Sequence, residues 1–459
     1  MNGPALERDL PHFVSRTLSR KTGILKGLRL LYRAPGEAPI FTGIGELPDL
    51  EVIFRSKGEV SGTGVGLAPG HALMAAMGEA LEGYSSYESL HPVISASYRE
   101  LTAQGEDAVS PFSLPLYSKT QYADPDFPFQ PFTDDVKLGW IKGRCISSGE
   151  EKYIPADQVY IAYKPEAGVG KICHSIFGGV ACGISHKRAL LSAIYEVIER
   201  DAMMIWWLNQ LPMPRVVCDD IHISSMKLHD FAKTNNISIE TWSITMDIPV
   251  PVFFSLMTDK ATGAIAGGFG TNLHPKTAFL KSIYECVQNR LGQLPMRHDW
   301  GRDLYNEKMG FTVLGNVDET LPLEDLARQF SASKNLYSNL QFYLYPQTHG
   351  CLEAVKASDH TIRLEQAENK SSGAVEADLE YCLQLLKERG FAVIMTDLTV
   401  ADMAELGFVN LRVNIPGLVS NSVCAWPYLG NNRLYDVPTS LGFPGKTERE
   451  ITRLPIPYA

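Results

Sequence analysis

The chain has 459 residues, 45% of them hydrophobic and 20% charged, enough apolar material for a large buried core. Its formal net charge of −10 argues against nonspecific binding to nucleic acid or anionic membranes. No stretch is long and apolar enough to span a bilayer, and the polar opening MNGPALERDLPHFVSRTLSR is no secretory signal, so a cytoplasmic location is expected. Eight scattered cysteines include no C-x-x-C pair, which speaks against a zinc ribbon or a disulfide scaffold. Free thiols are expected, several of them buried, such as Cys182 and Cys286.

Residues 1–34 read as an N-terminal segment ahead of one domain spanning 35–459. Proline and glycine cluster near 34–48, 111–132 and 427–446. The first notable segment runs Gly62-Thr-Gly-Val-Gly66, then Ala72 and Glu79-Ala-Leu-Glu82. A second has the same form: Gly178-Gly-Val-Ala-Cys-Gly183, then Ala189 and Glu196-Val-Ile-Glu199. Its helix continues apolar nearly all round through Trp206 and Trp207, so it should be largely buried. Val252 to Leu256 reads as a strand. The third segment follows: Gly267-Gly-Phe-Gly270, then Ala278 and Glu285-Cys-Val-Gln288. Leu340 to Tyr345 is another strand candidate. Leu379, Cys382, Leu383 and Leu386 recur at helical spacing, and Gly390 can end that helix. Phe391 to Thr396 and Val409 to Ile415 read as strands, the second stopped by Pro416-Gly417. Helices and strands alternate, which predicts a mixed α/β fold.

In each of the three segments an alanine lies seven residues before a glutamate, and an acidic or amide residue lies three beyond it. That spacing puts all three on one helix face. The glycines are expected to form a turn whose N–H groups approach an anion at the helix N-terminus. Ser185 is a plausible N-cap, and Pro275 suits a first helical position. Glu196, Glu199 and Arg200 on a buried helix must be paired, because an unpaired buried charge costs several kcal/mol. Three such helices would gather Glu79, Glu82, Glu196, Glu199 and Glu285. Clustered carboxylates repel without cations among them, and hard oxygen ligands favour Mg2+, which commonly arrives with phosphates. A nucleotide–Mg2+ site is therefore predicted, although no segment is a Walker loop or a Rossmann fingerprint.

On these residues the chain resembles the YcaO superfamily. Ser192-x-x-x-Glu196-x-x-Glu199-Arg200 matches that family's Ser-x3-Glu-x2-Glu-Arg signature. Glu285, Gln288 and Arg290 resemble its later block, and Glu79 and Glu82 its first. Val413-Asn-Ile-Pro-Gly-Leu418, Arg433-Leu-Tyr-Asp-Val-Pro438 and the terminus Pro455-Ile-Pro457-Tyr-Ala459 are also similar in kind, as in azoline-forming members that work with streptolysin-like peptides. The resemblance implies a YcaO fold, mixed sheets with helices lining a nucleotide site, and ATP and Mg2+ as cofactors. It implies metal contact for Glu79, Glu82, Glu196, Glu199 and Glu285. It implies nucleotide contact for Ser192, Glu196, Glu199, Arg200, Gln288 and Arg290, and a catalytic place for the tail at Pro455, Pro457 and Ala459. The implied activity is that of an ATP-dependent cyclodehydratase subunit, in which Cys, Ser or Thr of a ribosomal precursor peptide becomes thiazoline or oxazoline through amide O-phosphorylation. Implied partners are the precursor peptide, a ThiF-like leader-binding protein and a flavin-dependent azoline dehydrogenase, in an oligomeric assembly without nucleic acid or membrane.

The first block departs from the family pattern. Many members have Gly-Lys-Gly where this chain has Gly64-Val65-Gly66, a serine where it has Ala75, and an arginine where it has Gly83. The tail ends in Ala459, where a third proline is common. Two rival readings stay open: a YcaO enzyme forming a thioamide or macrocyclic amidine, and a partly degenerate, noncatalytic scaffold subunit.

Overall fold

The structure is a computed structural model that describes residues 3–32, 37–49, 61–87, 91–161, 163–174, 178–218, 223–308, 313–315 and 317–459. The boundary drawn at 34/35 lies outside these. Among the described residues there are three sheets. The first is antiparallel, in the order β1 (Gly27–Leu30), β2 (Phe41–Glu46), β3 (Ser61–Gly66). The second runs β4 (Ile94–Ala96), β5 (Leu138–Cys145), β13 (Ile394–Asp397), β14 (Val409–Asn414), β7 (Val180–Gly183), with β6 (Glu151–Pro155) also paired to β5. The third runs β11 (Ile265–Thr271), β10 (Val252–Asp259), β9 (Ile237–Ser243), β8 (Arg215–Val217), β12 (Thr361–Arg363). The mixed α/β architecture expected from the sequence is the one observed.

β3, β7 and β11 each end a sheet, and each feeds a helix: α1 (Pro69–Ser86), α2 (His186–Asn209) and α3 (Pro275–Gln293). These are the three repeated segments. Pro69 and Pro275 open α1 and α3, where a missing N–H costs nothing, and the Ser185 hydroxyl caps α2 by accepting from Arg188 N. Each helix packs on its own strand and also on the next module's: α1 on β7, α2 on β11, α3 on β3. The modules thus close into a ring, with their carboxylate-bearing faces brought together.

The glycines serve this packing. In the first and third segments they lie within strands, not in the turns the sequence led us to expect. A Cβ at Gly62 would stand 2.1 Å from Ala80 N, and one at Gly270 would stand 2.1 Å from Ala278 O. Helix backbone therefore rests directly on strand backbone. The paired alanines follow for the same reason: Ala72, Ala189 and Ala278 are all 0% exposed. Only in the second segment do Gly178 and Gly179 form a turn before the strand.

The largest core cluster surrounds α2, whose Trp206 and Trp207 are buried among Phe254, Phe269 and Leu208. Their indole N–H groups donate to Leu211 O and Leu454 O, so both tryptophans are packing residues. The helix expected around Leu379 is α4 (Val375–Glu388), followed by Gly390 at φ 80°. The expected strands at 252, 391 and 409 correspond to β10, β13 and β14. The expected strand at Leu340–Tyr345 is instead the end of a short helix, Tyr337–Phe342, and a turn. Every residue from Ser338 to Tyr345 is buried, so the run carries no alternation that would separate strand from helix. All eight cysteines are free thiols; Cys286 is buried and Cys182 only half-buried. Among the described residues no helix is long and apolar enough to cross a membrane.

Candidate active site

The ring brings Glu82, Glu196, Glu199 and Glu285 near one another. In the second and third modules the first glutamate of each pair accepts from its own strand or turn: Glu196 from Gly179 N at 3.2 Å and Glu285 from Phe269 N at 2.5 Å. In the first and third modules the last residue of the pattern reaches the next module. Glu82 accepts from Cys182 N at 2.8 Å, and the Gln288 amide donates to Thr63 Oγ1 at 2.7 Å. Glu79 lies half-buried one turn before Glu82. Glu82 faces Glu196, Glu196 faces Glu199, and Glu199 faces Glu285 closely enough for each pair to repel.

Arg200 holds the centre. It is 7% exposed, and its Nη1 donates to Glu199 at 3.0 Å while Nη2 donates to Glu196 at 3.1 Å and to the Tyr458 hydroxyl at 2.5 Å. Burial opposes its charge, but the neighbouring Tyr458 and glutamates outweigh that and hold it cationic. The other carboxylates are less well compensated. Burial pushes Glu82 up to about 8, and burial with the Glu199 charge pushes Glu285 up to about 7. Glu196 is also raised, first by burial.

The tail is docked, not loose. Pro455 and Pro457 are buried, and Tyr343 OH donates to Pro455 O at 2.6 Å. Asn339 Nδ2 holds Tyr458 O at 3.1 Å. The prolines set the path, and Tyr458 makes the contact: its ring lies 4.7 Å from the Arg200 guanidinium carbon, and its hydroxyl also donates to Glu285 at 3.3 Å. Ala459 ends half-buried beside it.

One predicted residue has its partners elsewhere. Arg290 pairs with Glu37 at 3.0 Å and Asp259 at 3.8 Å, so it ties α3 to neighbouring elements and not to the glutamate ring. Ser192 is exposed one turn before Glu196. Sequence reasoning missed Tyr458 and Arg412. Arg412 is 4% exposed on β14, faces Glu196, and is lowered by burial to about 10. The signal for it was an arginine inside the apolar run Val409 to Ile415.

Among the described residues no three acidic, histidine or cysteine groups close on one point as a ready-made ion cage. The donor set nevertheless fits Mg2+: hard carboxylate oxygens on three packed helices, two of them raised by burial and so short of positive charge.

The fold is shared with solved structures. One is a heterocyclase solved in complex with substrate and cofactor, at TM-score 0.73 and 20% identity, matched over 99% of this chain and 57% of its own. The heterocyclase TruD matches at TM-score 0.61 and 22% identity, over 85% and 52%. This chain thus spans about half the length of those heterocyclases. YcaO from Methanopyrus kandleri, bound with AMPPCP and Mg2+, matches at TM-score 0.59 and 18% identity, over 90% and 91%. In sequence, an uncharacterized protein of Methanothermobacter thermautotrophicus is 26% identical over 309 residues, 65% of this chain and 71% of that one. The family model for YcaO cyclodehydratases, ATP- and Mg2+-binding, matches residues 63–419, which contain every predicted glutamate. The chain belongs to the YcaO family.

Proposed function

We propose that this protein is the ATP-using subunit of a peptide-backbone cyclodehydratase, acting on Cys, Ser or Thr of a ribosomal precursor peptide to give thiazoline or oxazoline. The observation that carries the reading is the ring of glutamates around Arg200, met by the docked tail, in a chain of this family. Glu79, Glu82, Glu196, Glu199 and Glu285 would hold Mg2+, and Ser192 and Gln288 would face the nucleotide. ATP with Mg2+ supplies the phosphoryl group that makes an amide oxygen a leaving group. The chain's own part is to hold and orient. Arg200 holds Glu196 and Glu199 in place by pairing with both. Tyr458, packed edge-on to Phe269 at 5.2 Å, closes one side of the site to water, which would otherwise compete for the phosphoryl group.

The McbBCD microcin synthetase complex of E. coli, also solved with pro-MccB17 bound, shares the fold at TM-scores 0.52 and 0.54. By that likeness, a precursor peptide and partner proteins are proposed here: a ThiF-like leader-binding protein and a flavin-dependent azoline dehydrogenase. The test is phosphate release by the chain with partner and precursor. The precursor is expected to stimulate release, with loss of one water per modified site by mass spectrometry. Oxygen-to-sulfur exchange would replace the azoline reading with thioamide formation. Absence of precursor-dependent release would leave the scaffold reading, which the first module's missing polar groups favour. Glu196→Gln with Glu199→Gln should abolish Mg·ATP binding, and its survival would sink the site.

A further inference from the structure

A cleft opens beside the carboxylate ring and shares Arg200 with it. Its apolar lining comes from elements far apart in the chain: Leu114 and Leu116 from the loop after residue 113, Ile154 from β6, Val197 from α2, and Ile415 and Leu418 from the loop after β14. Arg200, Arg412 and Asn414 add polar groups to the same lining. Among the described residues no ring glutamate lines it, so it is a space apart from the one the carboxylates enclose.

Two buried polar atoms of this lining are unmatched. Arg200 is 7% exposed and commits Nη1 and Nη2 to Glu199, Glu196 and Tyr458, but its Nε has no hydrogen-bond partner among the described residues. Asn414 donates Nδ2 to Gln158 O at 3.0 Å, which fixes the orientation of its amide and leaves Oδ1 buried without a donor among the described residues. An orphaned buried donor or acceptor is costly, so a ligand that supplies the missing partner gains by binding. Here one atom needs an acceptor and the other a donor. A peptide unit carries both, its C=O and its N–H, whereas a phosphate or carboxylate brings acceptors alone. The apolar walls suit a side chain next to that peptide unit.

The neighbouring chemistry selects which side chain. In the proposed reaction the carbonyl that takes the phosphoryl group belongs to the residue just before the reacting Cys, Ser or Thr. That carbonyl must come to the ring, and its side chain stands on the adjoining Cα. We propose that this cleft binds the precursor peptide and seats an apolar side chain immediately N-terminal to the residue that reacts, with the carbonyl toward Arg200 Nε and a backbone N–H toward Asn414 Oδ1. The proposal rests on the cyclodehydratase reading for the identity of the reacting residue and adds to it the site that selects the residue before it.

The experiment uses acetyl-photoleucyl-serine amide, whose diazirine marks whatever its leucine side chain touches, with the labelled residues mapped by mass spectrometry. Label is expected on residues 114–116, 154 or 415–418. Acetyl-leucyl-serine amide should compete better than acetyl-glycyl-serine amide by about tenfold or more, the value of burying a leucine side chain. Leu114→Trp narrows the cleft and should lower labelling, while Leu114→Ala widens it and should shift preference toward acetyl-phenylalanyl-serine amide. Both variants should bind Mg·ATP as wild type does, and a matching loss of Mg·ATP affinity in both would count against a separate cleft. Label elsewhere, equal competition by the leucyl and glycyl probes, or labelling that neither variant changes overturns the proposal. Should Leu114→Trp fail to fold, the shift in Leu114→Ala decides alone. Label in the cleft of a protein that releases no phosphate with its precursor takes down the cyclodehydratase reading and leaves the cleft as a peptide site. Precursor-dependent release without label in the cleft does the reverse.

Discussion

The first and second modules share a strand, a close-packed helix and two glutamates, and they differ at the residue after the second glutamate. In the second module that residue is Arg200, which pairs with both of its own glutamates. In the first it is Gly83, which faces Leu47 and Tyr87 in an apolar cluster with Met77, Leu81 and Tyr84. A guanidinium at 83 would be buried there without an acid to meet it. Val65, where many relatives have lysine, likewise lies against the apolar cluster of Ile40, Ile283 and Val287. The missing polar groups are therefore answered by packing. The consequence is electrostatic: Glu82 takes a backbone N–H from the second module and rises to about 8. Charge in this site is shared around the ring, and no module is complete alone.

The largest effect should come from removing the arginine that makes the second module different. Arg200→Met leaves Glu196 and Glu199 in the interior without their partner, which should cost about 3–5 kcal/mol, read from chemical denaturation. An unchanged midpoint would mean that the two glutamates are not held by Arg200. The next effect belongs to the first module. Glu82 and Glu285 have folded-state values of about 8 and about 7, above the ordinary 4.5. The unfolded chain thus gives up these protons first as pH rises, so their contribution to stability is full below about pH 4.5 and is lost through about pH 8. Melting temperature without ligands should fall across that window, and Glu82→Gln should flatten the fall. Mg2+ should raise the melting temperature more at the alkaline end, where it competes with fewer protons. A fall of the same size in Glu82→Gln would assign it to other groups.

The repeat of glycine, alanine and glutamate could be read in the sequence because each module is local and its spacing is helical. The role of the glycines could not, since turn and close strand–helix contact demand the same residue and differ only in what lies opposite. The same limit explains Tyr458, whose hydroxyl meets Arg200 across 258 residues of chain. No local pattern marks such a pair, and the prolines beside it drew attention to the path instead of the contact. Arg290 is the converse case. It stands in the right helix, but its acids, Glu37 and Asp259, come from outside the repeat. Leu340 to Tyr345 failed as a strand because it is buried on all sides and so carries no period.

The comparison can be tested at its smaller end with two glycines of the first module. Gly62→Ala puts a Cβ 2.1 Å from Ala80 N, against backbone that cannot step aside without lifting α1 from β3. Overpacking of that kind should cost about 1–3 kcal/mol and should weaken Mg·ATP binding, because Glu79 and Glu82 ride on that helix. Gly83→Ala meets only Leu47 Cδ1 at 3.7 Å and Tyr87 Cε2 at 3.8 Å, ordinary contact distances. A methyl fits there, and replacing glycine inside a helix should stabilise by about 0.5–1 kcal/mol. Gly83→Arg, which restores the residue found in the second module, should destabilise the chain and gain no nucleotide affinity. If Gly83→Arg instead bound Mg·ATP more tightly at unchanged stability, the apolar wall would not be the reason for the glycine. The first module would then be a depleted copy of the second, not one repacked to lean on its neighbours.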